Sequence, residues 1–262
     1  MNVSVIISSC DLYSDCWKPM FLSLKENWPN SKFPVYLISN FKQSGDDRVQ
    51  TISVGEHLGW GSNTRKALDS IDSDYVLLLQ EDYFLNKPLQ DEVIEKHVGY
   101  CKDNDVDYLR LGEPYVDMNI TNNPDYCYNP LDLPYALCLQ PAIWKKTTLQ
   151  KLTIDGWTGW DFERDIKTYI DEHGILIKAM VINSKIAPTQ GYNMVHGTAI
   201  RKGIWTEGGI EFLKKHGFYE EIKGRKREGK LLTILNDVQP SSPFIWPAKV
   251  LRKTIQTFKR KF

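Results

Sequence analysis

Two clusters of polar side chains follow apolar runs of the kind that form buried strands. Glu81-Asp82 comes after Tyr75 to Leu79 through Gln80, and Ser8-Ser9-Cys10-Asp11 closes the run that starts at Val3. Open α/β sheets bind ligands beyond the carboxyl ends of their strands. Adjacent carboxylates at such an end suit a hard cation or the hydroxyls of a sugar, and a solvated turn is the plain alternative. Farther along, Arg201 and Lys202 stand among glycines, where guanidinium and backbone donors can converge on an anion. His196 precedes them, although a lone histidine is more often structural. Thr158 and Asp161 have the spacing of a capping box ahead of the apolar face Phe162, Ile166, Tyr169 and Ile170. No GxGxxG and no GxxxxGK[ST] occurs, so neither a dinucleotide fingerprint nor a P-loop is present. His57, His97, His173 and His216 have no partner pattern.

The elements that must position these residues are legible in the first half. Val3 to Ser8 lacks alternation, as expected of a strand covered on both faces. Trp17, Met20, Phe21, Leu24 and Trp28 recur at helical spacing, and Val35 to Ser39 and Val49 to Val54 predict the next strands. Ala67, Leu68 and Ile71 predict a short helix capped by Ser62 or Asn63. Tyr75 to Leu79 is the strongest strand. Leu89, Val93, Ile94, Val98 and Cys101 form a helical face, with a strand from Tyr108 to Leu111. Strands separated by helices mean βαβ units and a mostly parallel sheet. Residues 112–135, rich in Pro, Asn, Asp and Tyr, predict a long excursion or hairpin across a binding face. A strand from Ala136 to Gln140, a helix from Thr147 to Leu152 and a strand from Ile175 to Ile182 follow, and residues 187–209 predict a loop. The expectation is one α/β domain over residues 1–240, with a basic tail at 241–262.

Composition excludes several classes. The 262 residues carry 33 Lys plus Arg and 33 Asp plus Glu, and nucleic-acid binders usually show a basic excess. No apolar run approaches the ~20 residues of a spanning helix, and the N-terminus lacks a basic leader, which predicts a cytoplasmic chain. Cys10, Cys16, Cys101, Cys127 and Cys138 have no CxxC spacing and read as reduced, mostly buried thiols. Aromatic residues reach 12%, with 8 Trp and 13 Tyr, more than a core of this size needs.

Gly59-Trp60-Gly61-Ser62-Asn63-Thr64-Arg65-Lys66-Ala67-Leu68, with Asp74 to Asp82 behind it, resembles the GT-A glycosyltransferases, especially family-2-like ones. There a Gly/Asn/Arg helix start precedes a strand ending in an acidic motif. Val5-Ile6-Ile7-Ser8-Ser9 resembles their first strand. The resemblance implies a Rossmann-like GT-A domain that binds a nucleotide-sugar through Ser8, Ser9, Asp11, Asn63, Arg65, Glu81 and Asp82. Gly156-Trp157-Thr158-Gly159-Trp160-Asp161-Phe162-Glu163 is similar to the acceptor segment of inverting galactosyl- and N-acetylgalactosaminyltransferases. This implies that Asp161 is the base that deprotonates the acceptor hydroxyl, with Glu163 the next candidate. Trp157 and Trp160 would give flat faces for the acceptor sugar, and a capping role for Asp161 is compatible with the same spacing. His196, Arg201 and Lys202 fall where such enzymes hold the diphosphate. Mg²⁺ or Mn²⁺ on Asp82 and His196 is implied, but Gln80 replaces the first acid of the usual DxD, which predicts weak metal dependence or none.

The expected function is therefore transfer of a sugar from a nucleotide-diphosphate donor to a saccharide acceptor, with inversion, in the assembly of a surface glycan. The rivals are a nucleotidyltransferase on a related sheet and an inactive glycan-binding domain. The former lacks its Gly-rich basic loop after the first strand, and Gln80 suggests the latter. After Pro247 the tail has six basic and no acidic residues, with Val250, Leu251, Ile255 and Phe258 as an apolar stripe. Such a segment suits the surface of an anionic membrane and a lipid-linked acceptor, or else packs its stripe on the domain.

Overall fold

Val3–Ser8 (β1) is buried along its whole length because it lies between two parallel neighbours and under helices on both faces. The computed structural model describes residues 2–112, 119–133, 135–195 and 198–228. They fall into two compact units, and the first, up to Met194, holds the whole large sheet. After β1 the chain forms α1 (Trp17–Asn27), β2 (Val35–Ser39), β3 (Val49–Ser53), α2 (Trp60–Asp69) and β4 (Tyr75–Gln80). It continues with α3 (Asp91–Asp103), β5 (Tyr108–Arg110), β6 (Tyr126–Tyr128), β7 (Ala142–Lys145), α4 (Lys146–Leu152), α5 (Gly159–Glu172), β8 (Ala179–Ile182) and α6 (Ala187–Gln190).

The strand order is β3-β2-β1-β4-β7-β5-β8-β6. Strands β1 to β4, β5 and β8 run one way; β7 and β6 are reversed. The class is thus the expected one: an α/β, Rossmann-like sheet of mostly parallel strands between helices. From β1 the chain steps to β2 and β3 on one side, then returns to β4 on the other. Right-handed crossovers in opposite directions put α1 and α2 on opposite faces. The α2 face shares one core with α4 and α5, built from Ile6, Val76 and Leu78 of the sheet and Leu68, Leu149, Phe162 and Ile166 of the helices. On the α1 side, Trp28 Nε1 donates to Asp91 Oδ1 at 2.8 Å and ties the end of α1 to the start of α3.

Several expectations are corrected. The α2 helix begins at Trp60 behind Gly59, so Ser62 and Asn63 lie inside it and do not cap it. The strand expected at Ala136 to Gln140 lies at Ala142–Lys145; Ala136 to Leu139 are buried but not extended into the ladder. Only Ala179–Ile182 of the run from Ile175 is strand. The excursion after residue 112 adds β6 to the sheet edge against β8. In the second unit, the expected loop contains a hairpin of β9 (Ile200–Arg201) and β10 (Ile204–Trp205). Lys202 (φ 53°) and Gly203 (φ 77°) form its two-residue turn, a type I′ geometry that matches strand twist. Then come α7 (Glu207–Lys215), capped by Thr206, and α8 (Tyr219–Lys223). The tail at 241–262 lies outside the described residues. Among those residues, no helix is long and apolar enough to cross a membrane. None of the five cysteines is in a disulfide, and four are buried.

Candidate functional site

Strands β1 and β4 flank the point where the strand order reverses, and Ser8 pairs with Gln80 across it. Such a switch point opens a crevice at the carboxyl edge. Ser8 and Glu81 are buried there and Asp82 is half-buried. Burial, and then the charge of Glu81, pushes the Cys10 thiol up, which puts that thiol and Glu81 in one crevice. Ser9 Oγ accepts from Trp17 Nε1 at 2.8 Å. Asp11 is committed elsewhere: its carboxylate accepts the backbone N–H groups of Asn40, Phe41 and Lys42 at 3.0–3.3 Å. Asn40 Nδ2 in turn donates to Gly55 O at 2.7 Å. Asp11 thus stitches together the loops that follow β1, β2 and β3.

The two sequence motifs meet. The stretch 154–157 lies backbone to backbone on the first turn of α2, and Gly61 N donates to Trp157 O at 2.9 Å. A Cβ on Gly61 would stand 2.0 Å from Ile154 O, and one on Gly59 2.9 Å from Gly156 O and Trp157 O. Only glycine permits that approach. Ser62 Oγ donates to Asp155 Oδ1 at 3.2 Å and accepts from Gly156 N at 3.0 Å. Arg65 reaches the same segment, with Nη1 on Asp155 Oδ2 at 3.2 Å and Nη2 on Thr153 O. Asn63 holds the approach to α2 through His57 Nδ1 and Leu58 N. Asn63 and Arg65 therefore brace this junction.

At the start of α5, two carboxylates two residues apart have opposite environments. Asp161 closes a capping box: Thr158 Oγ1 accepts from Asp161 N, and Thr158 N donates to Asp161 Oδ2 at 2.9 Å. The Thr158 bonds and the Arg164 guanidinium at 2.8 Å hold its carboxyl below the usual range. Glu163 turns inward, where Oε1 accepts from Leu139 N at 2.8 Å and burial pushes its carboxyl up. Its Oε2 has no protein partner among the described residues. β7 runs antiparallel to β4, with Ala142 opposite Leu78, so the residues that precede β7, Leu139 among them, come in from the carboxyl end of β4. Glu163 is therefore anchored at the same carboxyl edge as Glu81. Trp157 is packed edge-on against Tyr169 at 5.8 Å, whereas Trp160 is 63% exposed.

One group escaped the sequence reading, and a second, Gln80, was noticed there only as a departure from the usual motif. Arg110 is fully buried at the carboxyl end of β5 opposite Ala142, and a Tyr-Leu-Arg run gives no sign that its last residue is buried. Gln80 Nε2 is buried with no hydrogen-bond partner among the described residues. That amide fits a ligand oxygen and stands where the related motif has an acid. Among the described residues no three His, Cys, Asp or Glu side chains gather to hold a metal. His196 lies outside the described residues. In the second unit, Arg201 Nη1 is held 3.1 Å from the buried Glu228 carboxylate, and Lys202 sits at the hairpin turn.

No protein-family model matches the chain, and no curated protein does. Among solved structures it is similar to a CMP:2-keto-3-deoxy-manno-octonic acid synthetase complexed with CTP, at 14% identity over 84% of this chain and 100% of that one (TM-score 0.48). It is similar to S. aureus TarS 1-349, at 14% identity over 96% and 79% (TM-score 0.46). A third likeness is to bifunctional IspDF from Campylobacter jejuni, at 15% identity over 74% of this chain (TM-score 0.42); the chain spans about half, 52%, of that protein.

Proposed function

We propose that the protein transfers a sugar from a nucleotide-diphosphate donor to a saccharide acceptor by a single displacement with inversion, and that Glu163 is the base. The observation that carries this reading is the half-buried, upward-shifted carboxyl of Glu163, held by Leu139 N at the carboxyl edge of the sheet. A base is most effective when its pKa approaches the working pH, which favours Glu163 over Asp161. The acceptor oxygen attacks the anomeric carbon and its proton passes to Glu163 Oε2. The bond from that carbon to the diphosphate oxygen breaks, and the nucleoside diphosphate leaves. Asp82 and Glu81 orient donor hydroxyls, Gln80 Nε2 donates to a donor oxygen, and Trp160 gives the acceptor a face to lie on. The acceptor is lipid-linked in this reading, with the basic tail on the inner face of a membrane.

The test is release of nucleoside diphosphate from a set of nucleotide-sugars, with and without saccharide acceptors. Release that depends on acceptor, with an inverted anomeric product, supports transfer. Glycan binding with no release from any donor supports instead the glycan-binding reading that Gln80 favours.

A further inference from the structure

A different part of the sheet carries a second site. Beyond β8, residues 119–128 fold back on themselves: Thr121 N donates to Tyr126 O and Tyr128 N to Asn119 O, both at 3.0 Å. Between this hairpin and α3 lies a cleft of about 510 Å³, within the range of small-molecule sites. Asn104 ends α3 and Lys178 directly precedes β8, so the cleft reaches toward the amino ends of the strands. Glu81 and Glu163 are at the carboxyl ends.

The wall of the cleft is aromatic and rigidly held. Tyr100 stacks on Tyr126 with centroids 3.6 Å apart and planes within 7°. The Tyr126 hydroxyl is 3.0 Å from His97 Nδ1, and His97 Nε2 is 2.9 Å from Gln190 O. A carbonyl only accepts, so Nε2 carries the proton and Nδ1 accepts from the tyrosine. The histidine is neutral, and burial brings it down to about 4. This buried chain serves no step of the proposed transfer; it fixes the tyrosine stack. Tyr128 adds a ring that is 51% exposed at the mouth.

The lining carries charges of both signs. Lys96 Nζ is held by Asp125 at 2.5 Å and by Gln190 Oε1 at 2.7 Å, and Lys178 Nζ by Asn104 O at 2.6 Å. Asp103 adds a negative charge to the lining. Beside these charges the lining offers aromatic surface, the exposed amide of Asn122 and the Nδ2 of Asn123, whose Oδ1 accepts from Asp125 N at 3.1 Å. Flat apolar faces beside amide donors and acceptors suit a neutral polyhydroxylated ring, whose C–H face stacks while its hydroxyls bond to amides.

We propose that the cleft between α3 and the 119–128 hairpin binds a neutral saccharide, with Tyr100 and Tyr128 against its ring and Asn122 and Asn123 on its hydroxyls. The site is independent of the transfer proposed above, so it is read by binding without turnover. The full chain is applied to a printed array of neutral and acidic glycans, beside Tyr128→Ala and Asn122→Ala. Neutral glycans are expected to bind, with about a tenfold loss in Tyr128→Ala and a smaller loss in Asn122→Ala. Three results would overturn the proposal. These are no neutral glycan bound, Tyr128→Ala and Asn122→Ala both binding like the parent, or binding confined to acidic glycans and abolished by salt. Tyr128 and Asn122 are both exposed, so neither change threatens the fold.

Discussion

The two halves of the sheet are built differently. In the half β3-β2-β1-β4 every pair is parallel, strands run five or six residues, and the connecting loops are stitched by one carboxylate, Asp11. In the half β7-β5-β8-β6 the strands have three or four residues, two are reversed, and buried polar groups such as His97 tie the layers. The first half holds its strands by long ladders and a continuous core, the second by side-chain networks. The candidate site lies at the seam: Gln80, Glu81 and Asp82 come from the first half, and Glu163 reaches that edge through Leu139 at the start of the second.

Gly61→Ala would break the seam most severely. The added Cβ has no room against Ile154 O, so the 154–157 segment must move, and a loss of about 3 kcal/mol is expected in denaturant unfolding. Gly99→Ala, in α3 with open space around it, is the control and should be neutral or stabilising by up to ~1 kcal/mol.

The next effect separates the halves by pH. His97 is neutral in the fold with its pKa lowered from 6.5 to about 4, so the unfolded chain binds the proton first as pH falls. Stability is full above pH 6.5 and declines as pH drops from 6.5 toward 4, by about 3 kcal/mol in all. His97→Gln should flatten this slope. Hydrogen exchange at pH 5 should rise in α3 and β6 before it rises in β1 and β4; equal rises would dissolve the comparison.

Thr158→Ala removes the cap of α5 and should cost about 1 kcal/mol, seen as a lower Tm. The last effect is on membrane binding and belongs to the tail. The full chain should sediment with anionic vesicles more than with neutral ones at low salt, at ~1 kcal/mol per basic residue near the surface, and removing residues 244–262 should release it. Equal sedimentation with both vesicle types would leave the tail without a membrane role.

What the sequence made legible follows the same division. β1 to β4, α1 and α3 were readable because both-face burial leaves uninterrupted apolar runs and amphipathic helices leave a 3.6-residue period. β7 was displaced to Ala136–Gln140 because that stretch is as apolar and as buried as the strand; it packs against the helix side of the core instead of pairing. A three-residue Tyr-Cys-Tyr strand carries no period at all. The start of α2 was misplaced because the Gly61 N–H is satisfied by Trp157 O, nearly a hundred residues later, which no local cap announces. In the site, the capping box at Thr158 and Asp161 was readable from spacing. The raised carboxyl of Glu163 was not, because it depends on burial beside Leu139. Likewise, Lys202-Gly203 makes a hairpin turn without the Asn-Gly or Asp-Gly that usually signals one.

The division of labour between Asp161 and Glu163 is tested most directly by comparing Glu163→Gln with Asp161→Asn in acceptor-dependent release of nucleoside diphosphate. If Glu163 is the base and Asp161 the cap, Glu163→Gln lowers kcat by about 10²-fold or more with donor affinity near that of the parent. Asp161→Asn then keeps kcat within a few-fold while its Tm falls. A folded Asp161→Asn that loses turnover, beside a Glu163→Gln that keeps it, would contradict the account.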